Sequence, residues 1–399
     1  MADELELESP LSSQPPAVSP YDSLLARNER SAPAVATRLA VERRDADRDL
    51  GLLLRLGGEE ARRRVARARR RFRSPFLAQH LLEHSRAAME VSPARARHLA
   101  DLAYRVVLYP RQRNSFTVEL MTTALVYRAQ AEALLGDLET AELGFALARR
   151  LRSRLPITDF GLRAEMDLFE GLLCRKQRRF HRADRLLLRA WRLFLTQRTV
   201  SRAVEALLEF VLSRLLQGDP LGALEGLQRC RRFAGELPAR ILARCEIARL
   251  EALFALERWE ALRAALPVAL GACRPFPRLH GHACRFAGRL ASRRGRTAEA
   301  ERMLLASWGA LRGRGEDFEA ARSSLDLAEH YLRRGARGRG QQAAERCLHS
   351  LLAGDVPPEA RLVIQALRRG DALSVATVAE LRGTLDRLRD APRPAPVPC

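Results

Sequence analysis

The stretches GDLETAELGFALA (residues 136–148) and GDPLGALEGLQRC (218–230) share one skeleton, and that skeleton returns along most of the chain. Its alanine recurs as Ala141, Ala183, Ala223, Ala261, Ala300 and Ala343, at spacings of 42, 40, 38, 39 and 43 residues. Four residues after each stands Phe145, Leu187, Leu227, Ala265, Leu304 or Cys347. Seven after stands Ala148, Ala190, Cys230, Val268, Ser307 or Ser350. Small or apolar residues at i, i+4 and i+7 line one stripe of a helix. A unit repeated at this period cannot bury its stripe alone, so neighbours must stack and share a continuous core.

Upstream of the stripe, Gly136, Gly218, Gly295 and Gly335 fall where a preceding helix must end, since glycine suits the left-handed position past a helix C-terminus. Within that preceding helix, Ala129, Gly171, Val211, Gly288 and Ala328 mark a slim site. Glycine there costs about 1 kcal/mol of helix propensity, which points to close helix–helix approach. An earlier copy reads SPARARHLADLAYRVV, with Ala96, Ala100 and Ala103 in register, preceded by PFLAQHLLEHSRAAMEV. Runs of β-branched residues with period two are missing. Each unit is therefore a helical hairpin of roughly 40 residues, and the chain carries six or seven.

A small residue, then glycine seven on, then Ala-x3-large-x2-Ala, often followed by proline (Pro156, Pro238, Pro275), resembles the tetratricopeptide repeat. Gly171 with Ala183, Leu187 and Ala190 is the best single match, and Gly288 with Ala300 and Leu304 the next. The resemblance covers residues 74–352, and RRRFRSPFLAQHLLEHSRAA is similar to the opening segment of bacterial TPR proteins. It implies an all-α fold, a right-handed solenoid of TPR-like hairpins with a C-terminal helical cap. Residues 1–20 (acidic, Pro/Ser-rich) are expected to be disordered, and 21–73 to form a basic helical segment. The solenoid is expected over 74–352, capping helices over 353–390, and a disordered Pro-rich tail over 391–399. The cap rests on PPEARLVIQALRRG and on Val375, Val378, Leu381, Leu385 and Leu388 sharing a helix face.

The resemblance further implies that first helices form a concave surface holding a partner's peptide or helix. Carried onto this chain, Arg175 and Lys176 face inward beside Ala183's hairpin, and Arg285, Arg289 and Arg293 beside Ala300's. That basic strip suits an acidic segment or a carboxylate. The expected role is a non-catalytic interaction scaffold or regulatory adaptor with a protein partner, without cofactor or metal.

Net charge is the competing signal. The chain of 399 residues carries a formal +21, yet of its 69 basic residues only Lys176 is lysine. With Ala, Leu and Gly abundant, that bias reads as a GC-rich genome choosing arginine codons. The sharpest cluster is ARRRVARARRRFR, with Arg62, Arg63, Arg64, Arg67, Arg69, Arg70, Arg71 and Arg73. Like charges at i, i+4 destabilise a bare helix, yet a solvated basic face, partly codon-driven, is the expected reading unless a partner neutralises them. The acidic N-terminus is one choice, and nucleic acid or another polyanion the alternative function. If all eight met phosphates, affinity would fall with log salt at a slope of about −7.

Other motifs carry less. HLLEH (80–84) puts His80 and His84 on one face like an inverted zinc-peptidase motif, without the third ligand or mixed α/β scaffold that chemistry needs. HGH (280–282) sends its two histidines to different faces, and suits a surface or groove role. GARGRGQ (335–341) lacks the strand before and the Lys-Ser/Thr after that a phosphate loop requires, and reads as an inter-helix loop. Trp191, Trp259 and Trp308 read as packing residues of second helices. Seven cysteines without a CxxC pair read as reduced thiols. No stretch approaches the ~18 apolar residues of a membrane span. The N-terminus lacks the features of a signal peptide, so a cytoplasmic location is expected.

Overall fold

The computed structural model describes residues 32–68, 71–108, 114–153, 160–313, 316–353 and 374–388. The expected disordered termini (1–20 and 391–399), residues 21–31, Arg69, Arg70 and the first expected capping helix (357–370) lie outside the described residues. Helices α1 (Ala32–Arg55) and α2 (Gly58–Arg67) lead in. Seven hairpins follow among the described residues. They pair α3 (Pro75–Ala88) with α4 (Pro93–Leu108), α5 (Ser115–Leu135) with α6 (Leu138–Ser153), and α7 (Phe160–Lys176) with α8 (Phe180–Thr196). Next come α9 (Val200–Leu216) with α10 (Pro220–Arg231), α11 (Ala239–Ala255) with α12 (Trp259–Cys273), and α13 (Pro277–Arg293) with α14 (Thr297–Arg312). The last hairpin is α15 (Asp317–Leu332) with α16 (Arg337–Ala353), and α17 (Val375–Leu388) follows it. No strand occurs among the described residues, and no helix there is long and apolar enough to cross a membrane.

Each second helix packs against its own first helix and against the first helix of the next hairpin. First helices α3, α5, α7, α9, α11, α13 and α15 also touch in sequence, making one continuous row. Apolar core runs along the whole array, from Ala46 on α1 to Leu385 on α17, as hairpin stacking requires.

In six of the seven hairpins the turn is built alike, with one residue at φ of 94° (Gly136), 58° (Arg178), 74° (Gly218), 54° (Glu257), 74° (Gly295) or 74° (Gly335). The next residue's N–H reaches back to the helix as Asp137→Glu132, Arg179→Cys174, Asp219→Arg214, Arg258→Leu253, Arg296→Ala291 and Ala336→Tyr331, at 2.8–3.0 Å. This is the 6→1 bond of a Schellman motif. Two turns thus accept a side chain in left-handed backbone, at a cost of about 1–2 kcal/mol each. Five residues past each turn residue stand Ala141, Ala183, Ala223, Leu262, Ala300 and Gly340, all buried. This corrects the register in two hairpins. Ala261 is exposed, Leu262 takes its place, and Val268 is 58% exposed while Ala269 is buried. In the last hairpin Gly340 meets the first helix, although Ala343, Cys347 and Ser350 are buried too.

Gly288 shows why the crossing must be slim. A Cβ there would lie 2.6 Å from Leu304 Cγ and 3.1 Å from the Leu304 backbone N. In two hairpins the glycine sits instead on the second helix, Gly144 against Ala129 and Gly226 against Val211. We expect Gly288→Ala to lose about 1–3 kcal/mol by overpacking, despite its gain in helix propensity. Gly218→Ala, whose Cβ meets nothing within 4 Å, should lose about 1 kcal/mol through φ of 74° alone. Urea midpoints of the two variants check both values. GARGRGQ is not an irregular loop: Gly335 closes a regular turn and Arg337 begins α16.

Candidate functional site

Along the row of first helices, carboxylates are clamped between arginines of neighbouring hairpins. Glu165 on α7 accepts from Tyr127 Oη on α5 (2.8 Å) and pairs with Arg86 on α3 (3.2 Å) and Arg202 on α9 (3.1 Å). Glu209 on α9 pairs with Arg175 on α7 and Arg244 on α11, each at 2.6 Å. Asp326 on α15 pairs with Arg285 (2.5 Å) and Arg289 (3.5 Å) on α13 and with Arg382 (3.6 Å) on α17. Glu329, one turn on, pairs with Arg333 and Arg382.

These contacts redistribute the expected basic strip. Arg175 is occupied by Glu209, and Lys176 Nζ donates to the Ala133 carbonyl at 2.7 Å, near the end of α5. Neither joins the other three. Of the other three, Arg289 and Arg293 line a cleft of about 300 Å³, and Arg285 does not. Arg285 is only 3% exposed and lies behind it, held by Asp326. Arg289 stacks over Phe254, 3.8 Å from the ring centre, and Arg293 over Trp259 at 4.2 Å. Arg293 and Arg333 are half-exposed on the rim. The lining also holds Glu257, Ser292, Asp326, Glu329, His330 and Arg382. The His330 ring is buried, with Nδ1 2.7 Å from Ser292 Oγ. Burial, and then the charge of Arg334, lower its pKa.

Phe254, Trp259, Asp326, His330, Arg333 and Arg382 were not singled out as site residues by sequence. One signal for Asp326 was there. Two residues before the slim sites Ala129, Gly171, Val211, Gly288 and Ala328 stand Tyr127, Phe169, Glu209, Phe286 and Asp326. An acid at an otherwise aromatic, inward position marks a buried ion pair.

Burial alone would raise the Asp326 and Glu209 carboxyls, but their arginines outweigh it and both end below the ordinary carboxylate range. Such groups bind protons less readily folded than unfolded. Their stabilisation is therefore complete above the unfolded value, about 4, and is lost as pH falls through the lowered folded values. The urea midpoint should begin to fall as pH drops below about 4, and this fall should be shallower in Asp326→Asn.

Of the six described arginines of the arginine-rich segment, four have partners within the chain. Arg62 lies 3.7 Å from Glu59 and 4.0 Å from Asp101; Arg63 lies 3.5 Å from Glu59. Arg71 pairs with Asp49 at 2.7 Å, and Arg73 donates to the Arg105 carbonyl at 2.8 Å. Ala61 and Val65 turn inward, so the helix is not basic on every face. Arg64 and Arg67 join Arg63 and Arg71 around an open hollow of about 920 Å³. Of the other motifs, His80 pairs with Asp47 (3.0 Å) and His282 faces Glu319 (3.8 Å). Six cysteines, from Cys174 to Cys347, are free and buried. Trp259 lines the cleft as well as packing, whereas Trp308 lies between Arg312 and Arg346.

Stacked hairpins with one continuous face of first helices make this chain a TPR-like helical solenoid. Among solved structures it is similar to a Rap protein complexed with Competence and Sporulation Factor (TM-score 0.57, 14% identity, 79% of this chain and 87% of that one). It is likewise similar to the apo form of RapI (TM-score 0.59, 10% identity, 77% and 85%). At these identities the likeness is one of fold. No protein-family model matches the sequence, and no curated protein matches it significantly.

Proposed function

We propose that this chain is a non-catalytic interaction adaptor whose row of first helices holds a peptide or helix of a partner protein. The observation that carries this reading is the cleft at α11, α13 and α15. Half-buried Phe254 and Trp259 stand beside arginines stacked on their faces, with Arg293 and Arg333 open to solvent. Aromatic and arginine anchors of this kind dominate protein–protein hot spots. Guanidiniums fixed by stacking lose little further freedom on meeting a partner's carboxylate, so an acidic segment suits the rim. That a protein of the same fold is solved in complex with Competence and Sporulation Factor adds support. The partner's protein nature and a cytoplasmic setting are parts of this proposal.

The test is capture from lysate at moderate salt with nuclease present, using wild type and Arg293→Glu/Arg333→Glu. Reversing Arg285 instead would break a buried ion pair. Retention should fall at least about tenfold in the variant, the factor that about 1.4 kcal/mol gives. Recovery dominated by nucleic acid and abolished by neutralising Arg64 and Arg67 would overturn the proposal in favour of the polyanion reading. Even then the salt slope should be far shallower than −7, because Arg62, Arg63, Arg71 and Arg73 already have intramolecular contacts.

A further inference from the structure

Among the described residues, helix α17 packs on the face formed by the first helices. At every junction from α3 to α15, the incoming first helix packs against both helices of the hairpin before it. α17 packs along α15 and makes no comparable contact with α16. Its Arg382 joins Arg289 and Phe254 in lining the cleft, reaches Asp326 at 3.6 Å and bonds to Glu329. Val378, Leu381 and Leu385 are buried in the same apolar cluster as Leu325, Ala328 and Tyr331 of α15. α17 thus meets the row of first helices as a ligand would, with an apolar stripe and one directed cation.

We propose that α17 is an exchangeable internal occupant of the groove, and that the partner is an amphipathic helix of the same chemistry. That helix would carry aliphatic residues three and four apart and an arginine aimed at Asp326 and Glu329. Its polar face stays open to carry the carboxylates that meet Arg293 and Arg333. The partner half of this inference rests on the groove reading above. Among the described residues α15 is the main neighbour of this 14-residue helix, and a helix of that length is marginal by itself. Its covalent connection to the array keeps it seated by supplying an effective concentration of order millimolar. A partner helix of higher affinity can overcome that advantage.

The probe is a fluorescently labelled peptide of residues 374–388, followed by anisotropy against the full chain. Wild type should bind it weakly, since α17 competes in cis. The full chain carrying Val378→Ser/Arg382→Ser/Leu385→Ser should bind it at least about a hundredfold more tightly. Peptide with Arg382→Glu should lose that gain. Equal affinity for wild type and triple variant would overturn the proposal. Should the triple variant fail to fold, hydrogen exchange on wild type decides the same point: α17 amides should exchange well before those of α15, and equal protection would overturn exchangeability. The two readings separate cleanly. No exchange, with capture still lost in Arg293→Glu/Arg333→Glu, removes α17 as occupant and leaves the groove. Exchange, with capture untouched by those substitutions, removes the groove and the partner half of this inference with it.

Discussion

Replacing Asp326 with alanine is expected to cost about 3–5 kcal/mol, among the largest losses available to a single side chain here. Its carboxylate is 1% exposed and is shared by Arg285, Arg289 and Arg382, from the helices on either side. Asp326→Ala takes that carboxylate from Arg285, itself 3% exposed, and a buried guanidinium deprived of its counter-charge carries a large desolvation penalty. The double variant Asp326→Leu/Arg285→Leu should recover most of the loss, because well-packed apolar residues can replace a buried pair at little net cost. Denaturant unfolding of the single and double variants measures both. A single-variant loss below about 1 kcal/mol would show that water reaches the pair.

Phe145→Ala should cost a comparable 3–5 kcal/mol. Phe145 is 1% exposed, on the stripe of α6 four residues past Ala141. Deleting a buried aromatic loses its transfer free energy and leaves a cavity that stacked helices cannot fully close. Leu143, two residues away on the same helix, is 67% exposed, and Leu143→Ala should stay within about 0.5 kcal/mol. In a stacked array the Phe145→Ala loss should be concentrated in its own hairpin and the two beside it, which site-resolved hydrogen exchange can show. Equal effects at 143 and 145 would contradict the register.

The hairpins were legible because their turns and crossings use small residues, and small residues stand out in a sequence. Where the backbone kept the turn but changed the residue, the reading slipped. Glu257 occupies left-handed backbone without being glycine, so nothing in the sequence marks that turn, and the contact falls on Leu262 rather than Ala261. Gly340 hides beside Ala343 because glycine at a crossing and glycine in a turn look alike in a row of letters. The site was legible only by half. Of the arginines at i, i+4 and i+8, Arg289 and Arg293 line the cleft, while Arg285 is buried behind it against Asp326. Their partners were hidden because they come from the next repeat: Asp326 lies 41 residues from Arg285, and Arg382 a further helix beyond. Charge pairing between repeats has no local spacing to betray it. Trp259 was hidden for a simpler reason: it begins a second helix, where packing is the ordinary fate of an aromatic, yet the turn before it carries the ring to the cleft's edge.

The central claim is that the row of first helices is the binding face. The most direct measurement is a hydrogen-exchange footprint of the full chain with and without its captured partner. The account predicts new protection from the end of α11 into the start of α12 (residues 254–259), in α13 (289–293) and at the end of α15 (326–333), with faster exchange in α17 as it is displaced. Protection confined to α2 and the second helices, with those segments unchanged, would contradict it.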